Sequence, residues 1–239
     1  MARMTLDELV SQLRAAYGTA LRSIVLYGSA AAGEHNPKKS DFNVLVIVNL
    51  LDSERLTAAS AASRAWAEAG NPAPLTLTTA EWRGSADIFP MEYADILDRH
   101  RVLFGEPPFT GISVDLKDLR LQLEQEAMGK LIKLRQGLLA GGNDGQRHLD
   151  LLAASASAIM IIFRAALRMH AIVPSNDNVA LSEAVGRQTG LDAAPFAQVV
   201  RHVRGERPIK AADATAVLVA YLRGMEQLVS YLDTYQTPT

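Results

Sequence analysis

Gly28-Ser29, then eleven residues, then Asp41-Phe42-Asn43 running directly into Val44-Leu45-Val46-Ile47-Val48, is the stretch that decides the fold. Ahead of it, Ser23-Ile24-Val25-Leu26-Tyr27 is a short β-rich run ended by Gly28, which predicts a buried strand. Ala30 to Gly33 reads as a brief helical turn, Glu34 to Ser40 as a polar loop holding Pro37, and Asp41 to Val48 as a second strand. Side chains alternate along a strand, so residues 41 and 43 share a face. A glycine-serine turn beside that face offers exposed amides and the Ser29 hydroxyl, and a following helix N-terminus favours phosphate oxygens. The pattern therefore outlines a platform for a phosphorylated ligand and a divalent cation.

The elements around it follow from spacing. Thr5-Leu6-Asp7-Glu8 has the form of a capping box, and Leu6, Leu9, Val10, Leu13 and Tyr17 continue it as an amphipathic helix. Ser53 to Ala69 predicts a helix and Pro74 to Thr79 a third strand closing the sheet. A helix is expected from Pro90 to about Arg99, since proline at the first helical position lacks only an amide that would have no partner. One more strand is expected over Arg101 to Phe104. Gly105-Glu106-Pro107-Pro108 through Gly111 is the linker candidate.

Beyond it the strand signals stop. Leu116, Leu119, Leu123, Ala127, Leu131, Leu134 and Leu138 keep helical spacing as far as Gly141-Gly142. A second long helix is predicted over Arg147 to Val173, stopped by Pro174, with further helices over Val179 to Thr189, Ala193 to Val203 and Ala211 to Leu232. The expected architecture is α/β (α+β): a small mixed-sheet domain over residues 1–108, then a helical bundle over 112–239.

The Gly-Ser turn, its spacing and the strand-borne acid resemble the signature of the nucleotidyltransferase superfamily, the polymerase-β-like fold in its minimal form. The likeness covers about the first 80 residues. It implies that Gly28 and Ser29 hold triphosphate oxygens, that Gly33 is the small residue of the following turn, and that Asp41 is a metal ligand. Lys39, in the loop before Asp41, is placed to approach a bound triphosphate. The family pattern is Asp-x-Asp, whereas this chain reads Asp41-x-Asn43. The family also carries a third carboxylate on the next strand, where Thr76 and Thr78 are the polar candidates here.

Magnesium prefers octahedral oxygen ligands, and two ions held by a carboxylate cluster clamp the attacking and leaving oxygens of a phosphoryl transfer. With Asp41 the sole visible carboxylate and Asn43 an auxiliary carbonyl ligand, the site is short of charge. Such stabilisation is worth several kcal/mol, and each ~1.4 kcal/mol is tenfold in rate. Impaired or absent catalysis with a retained nucleotide pocket is therefore the first expectation. An active magnesium-dependent enzyme, moving a nucleoside monophosphate to a small-molecule or protein hydroxyl, is the second, with Asp87 and Glu92 the nearest replacement acids. A third sees the bundle as an interaction module or HEPN-like ribonuclease of the toxin–antitoxin type. Arg164 and His170 resemble that family's Arg/His pair, although Ala165 stands where it prefers a polar residue.

Composition narrows the rest. A net charge of −2 gives no general attraction for nucleic acid. The absence of cysteine excludes disulfides and thiolate metal sites, and the histidines lack zinc spacing. The longest apolar run, Leu151 to Phe163, is thirteen residues, short for a membrane span. Asp7 and Glu8 sit where a signal peptide would be apolar. These features predict a cytoplasmic protein whose partners are a nucleoside triphosphate and, as the sequence leaves open, a protein partner or a second copy. Trp66 and Trp82 are expected to be packing residues.

Overall fold

The computed structural model describes residues 3–31 and 41–236. The chain forms two compact units, one ending at Val114 and the other beginning at Asp115.

In the first unit, α1 (Leu6–Tyr17) starts at the expected capping box: the Thr5 hydroxyl accepts from the Glu8 amide and the Glu8 carboxylate accepts from the Thr5 amide. A 3-10 turn leads into β1 (Leu21–Tyr27), followed by β2 (Asn43–Val48), α2 (Ser53–Glu68), β3 (Leu75–Thr78), α3 (Thr79–Gly84), α4 (Pro90–Asp98) and β4 (His100–Gly105). The strands form one mixed sheet in the order β3-β2-β1-β4. β1 runs antiparallel to both β2 and β4, and β3 runs parallel to β2.

Both faces of this sheet are covered, which explains the unbroken apolar runs of β1 and β2. Ile24, Leu26, Val44, Val46 and Val48 pack with Leu9, Leu13 and Trp66 from α1 and α2. Val25, Leu45 and Ile47 pack with Trp82, Tyr93 and Ile96 from α3 and α4. Trp66 and Trp82 are both buried, as expected of packing residues. Trp82 stacks on Tyr93 at 4.2 Å between centroids and donates its indole N–H to the Pro108 carbonyl at 2.6 Å. Phe109, Ile112 and Val114 also lean on this cluster, so the chain past the Gly-Pro segment still belongs to the sheet unit.

The second unit is helical: α5 (Leu116–Gly141), α6 (Gly145–Arg168), α7 (Asn178–Thr189), α8 (Ala194–Arg204) and α9 (Ala211–Thr234). Leu119, Leu123, Ala127, Leu131 and Leu134 form the buried side of α5. α6 ends at Arg168, short of the expected Val173. The Ile172 amide turns back to the Leu167 carbonyl at 3.1 Å and Ala171 takes a positive φ of 54°, closing the helix before Pro174 is reached. By length and composition α6 could cross a membrane, and 50% of its most apolar window is buried inside the fold.

Candidate functional site

The register of the sheet assembles the site. Tyr27 at the end of β1 lies opposite Asn43 on β2 and opposite His100 on β4, so the three form a row across one sheet end. Cross-strand partners share a face, and this is the face that α3 and α4 cover. Asp41 lies just ahead of β2 and is exposed. Gly28 closes β1 in a left-handed turn at φ 77°, its amide donating to the Arg99 carbonyl at 2.9 Å. A Cβ built on Gly28 would stand 3.5 Å from Asn43 Nδ2, which places the turn directly against that amide. Ser29 follows, half-buried. Gly28, Ser29, Asp41 and Asn43 are thus gathered at one end of two paired strands. Gly33, Lys38 and Lys39 lie outside the described residues.

The third strand brings no acid. β3 pairs with β2 as Leu45 with Leu75, Val46 with Thr76, Ile47 with Leu77 and Val48 with Thr78. Thr76 and Thr78 therefore share the face of Val46 and Val48, turned toward α1 and α2 and away from Asn43. Their hydroxyls have local partners, the Pro74 carbonyl for Thr76 and the Glu81 carboxylate for Thr78. The β3 residues on the Asn43 face are Leu75, 41% exposed, and Leu77, packed under the sheet. The strand position nearest the candidate site is aliphatic.

Acidic charge reaches this face from α4 instead. Burial first, then the carboxylates of Asp95 and Glu92, hold the Tyr27 phenol above its ordinary pKa. Asp95 also pairs with Arg99 at 3.7 Å. His100 points its Nδ1 at the Ile96 and Leu97 carbonyls, at 2.9 and 3.0 Å. Carbonyls only accept, so Nδ1 carries the proton. Glu92 was visible from sequence, whereas Tyr27, Asp95 and His100 were not singled out. Tyr27 had a signal, adjacency to the Gly28 turn; His100 had none before the β4 pairing was known. Asp87 lies exposed ahead of α4.

Among the described residues no three His, Asp or Glu side chains gather as a metal site. One exposed carboxylate, one amide and a leucine do not fit a centre for two magnesium ions. They leave donors for a single ion at most, held chiefly by a ligand's own phosphates.

In the bundle, Arg164 and His170 are not brought together as a site. Arg164 is buried and donates to Asn178 Oδ1 at 2.8 Å. His170 Nε2 meets the Tyr231 hydroxyl at 2.7 Å and its Nδ1 lies 3.1 Å from Gln188 Nε2. Both residues serve contacts between helices.

No family model matches the sequence, and no curated protein does. Among solved structures, the chain is similar to a spectinomycin adenyltransferase, AAD(9) from Enterococcus faecialis, determined with ATP and spectinomycin. The TM-score is 0.59 at 11% sequence identity, over 96% of this chain and 98% of that one. The fold is nucleotidyltransferase-like, a mixed α/β sheet with a helical C-terminal region, in line with the resemblance carried by Gly28, Ser29 and Asp41.

Proposed function

We propose that this is a nucleotidyltransferase-fold protein with impaired or absent catalysis, which binds a nucleoside triphosphate beside Gly28, Ser29, Asp41 and Asn43. The observation that carries this is the pairing of β3, which turns Leu75 rather than an acid toward the Asn43 face. Asn43 in place of a second carboxylate acts in the same direction. Gly28 and Ser29 offer backbone amides and a hydroxyl to phosphate oxygens, the resemblance assigns Gly33 and Lys39 to the same phosphates, and Asp41 with the Asn43 carbonyl could hold one magnesium ion. When bound, that ion would neutralise phosphate charge. The protein binds the nucleotide as a regulatory or partnering signal in the cytoplasm, with no membrane or nucleic acid involved.

Calorimetry with ATP, GTP, CTP and UTP, each with and without magnesium, tests the reading. Binding at micromolar concentration with no release of pyrophosphate is expected. Steady pyrophosphate release would overturn the impairment, and absence of any binding would overturn the pocket.

A second reading is an active transferase that moves a nucleoside monophosphate onto a small-molecule or protein hydroxyl. One observation favours it: Asp95 and Glu92 place negative charge beside Tyr27, within the Asn43 row. Turnover that is present in the native chain and lost in Glu92→Gln or Asp95→Asn would establish it.

A further inference from the structure

α5 carries a second apolar stripe that the bundle does not use. Leu121, Met128, Ile132 and Leu139 are 67%, 42%, 45% and 82% exposed. At about 100° per residue they lie within about 20° of a single line along the helix, roughly opposite Leu119, Leu123 and Leu134. A surface helix of this length normally shows polar residues there.

The spacing of the stripe is its own mirror. Leu121 and Leu139 stand equally far on either side of Lys130, and so do Met128 and Ile132. A stripe with that symmetry matches itself when a second copy is laid antiparallel, with a two-fold axis level with Lys130: Leu121 meets Leu139 and Met128 meets Ile132 of the other chain. The flanks obey the same operation. Glu124 and Arg135 lie on one side of the stripe and meet across the axis, while Gln125 and Gln136 meet on the other. In a parallel two-fold arrangement each flank would face the opposite one, Glu124 against Gln125 and Arg135 against Gln136, and the Glu124–Arg135 pairing would be lost. Gly129, where an added Cβ would meet nothing within 4 Å, leaves room for close approach beside the axis. In the single chain Glu124 pairs with Arg120 at 3.2 Å and Arg135 with Glu226 at 2.7 Å, on the protein surface. Exposed pairs of this kind stabilise little and can be exchanged for others.

We propose that α5 is the contact surface of an antiparallel homodimer, self-complementary about Lys130. The occupant of the stripe is a second copy of this chain. The stripe runs about 27 Å, and four apolar anchors place the contact at the small end of specific interfaces, with a dissociation constant of the order of 10 μM. This inference is independent of nucleotide binding.

The full chain has no cysteine, so single-cysteine variants report on one position each. Leu121→Cys and Leu139→Cys are mixed at 50 μM or so and oxidised, the concentration being about five times that dissociation constant. Formation of the mixed disulfide at least ten times faster than either homodisulfide is the expected result. Homodisulfides alone would show a parallel contact and overturn the geometry. Sedimentation of the unmodified chain should show a monomer–dimer equilibrium, and Leu139→Glu, at an exposed position, should shift it at least tenfold toward monomer without lowering the melting temperature. A chain that stays monomeric at 100 μM, roughly ten times that constant, with no disulfide formed, overturns the proposal. That result would mean the stripe is bare or covered by something else.

Discussion

At the Asn43 end of the sheet, polar side chains line up on one face beside the Gly28 turn; in the bundle, several buried polar side chains are bonded to neighbouring helices. Asn43, Tyr27 and His100 form a cross-strand row next to the Gly28 turn. Arg164 is bonded to Asn178, His148 Nδ1 to the Thr215 hydroxyl at 2.8 Å, and the buried Ser182 hydroxyl to Met160 Sδ at 3.8 Å. The difference teaches that residue type does not identify a site. Arginine and histidine in the bundle hold helices together, whereas the less conspicuous Asn43 and Tyr27 sit at the sheet end proposed to take the nucleotide. The Arg164–Asn178 and His148–Thr215 bonds run between helices, whereas Asn43 and Tyr27 face each other across paired strands beside a turn.

The contrast is easiest to break at Arg164. Arg164→Ala leaves Asn178 without this donor and opens space in the helical core, so a loss of about 3 kcal/mol in stability is expected, with nucleotide binding unchanged. Arg164→Met keeps the volume and should cost less. Thermal denaturation alongside calorimetry checks both. If Arg164→Ala left the melting temperature alone and removed an RNA-cleaving activity, the bundle would be the active part after all.

The sheet end is sharpened by restoring charge. Asn43→Asp together with Leu75→Glu puts carboxylates at two strand positions that now carry an amide and a leucine, and should raise magnesium-dependent nucleotide affinity at least tenfold, about 1.4 kcal/mol. Asn43→Asp alone should give the smaller part of that gain. An unchanged affinity in the double variant would show that this face is not where the phosphates sit.

A smaller effect is expected at the start of α7. The Asp177 carboxylate accepts from the Ala180 amide at 2.9 Å and pairs with Arg204, and these bonds keep it below the usual carboxylate range. Asp177→Ala should cost about 1 kcal/mol by urea unfolding, a helix-cap loss without effect on ligands.

The smallest effect is a dependence on pH. Burial beside Tyr231 lowers the pKa of His170 from its ordinary 6.5, so the unfolded chain takes up that proton more readily than the folded one. The contribution of His170 is therefore complete above pH 6.5 and declines as the pH falls below it toward the folded value. The melting temperature of the native chain should drop between pH 7 and pH 5 more than that of His170→Gln. Equal slopes would mean the imidazole is not desolvated on folding.

Most elements of both units were legible because each has a local cause. The apolar runs 23–27 and 44–48, the capping box at Thr5 and the leucine spacing of α5 all act within a few residues. α3 was missed although Thr78 and Glu81 form the same reciprocal cap that marked α1. Its six residues are too few to show a period beside a strand ending in the same threonines. The end of α6 was misplaced because no glycine marks it; an alanine adopts the positive φ there. In the candidate site, Gly28, Ser29, Asp41 and Asn43 were readable as a local motif. Which β3 residues face them was not, since that depends on pairing between segments distant in sequence. The alternation Leu-Thr-Leu-Thr is plain, but only the register assigns the leucines to the Asn43 side.

That assignment has a consequence for how such a protein could change. The short connection 69–74 between α2 and β3 acts as a vernier: lengthening or shortening it by one amino acid would slide the strand and exchange its two sides. Threonine hydroxyls would then lie on the Asn43 face without any substitution in the strand itself. A single-codon insertion or deletion could thus rewrite the chemistry of this edge while leaving every hydrophobic run intact.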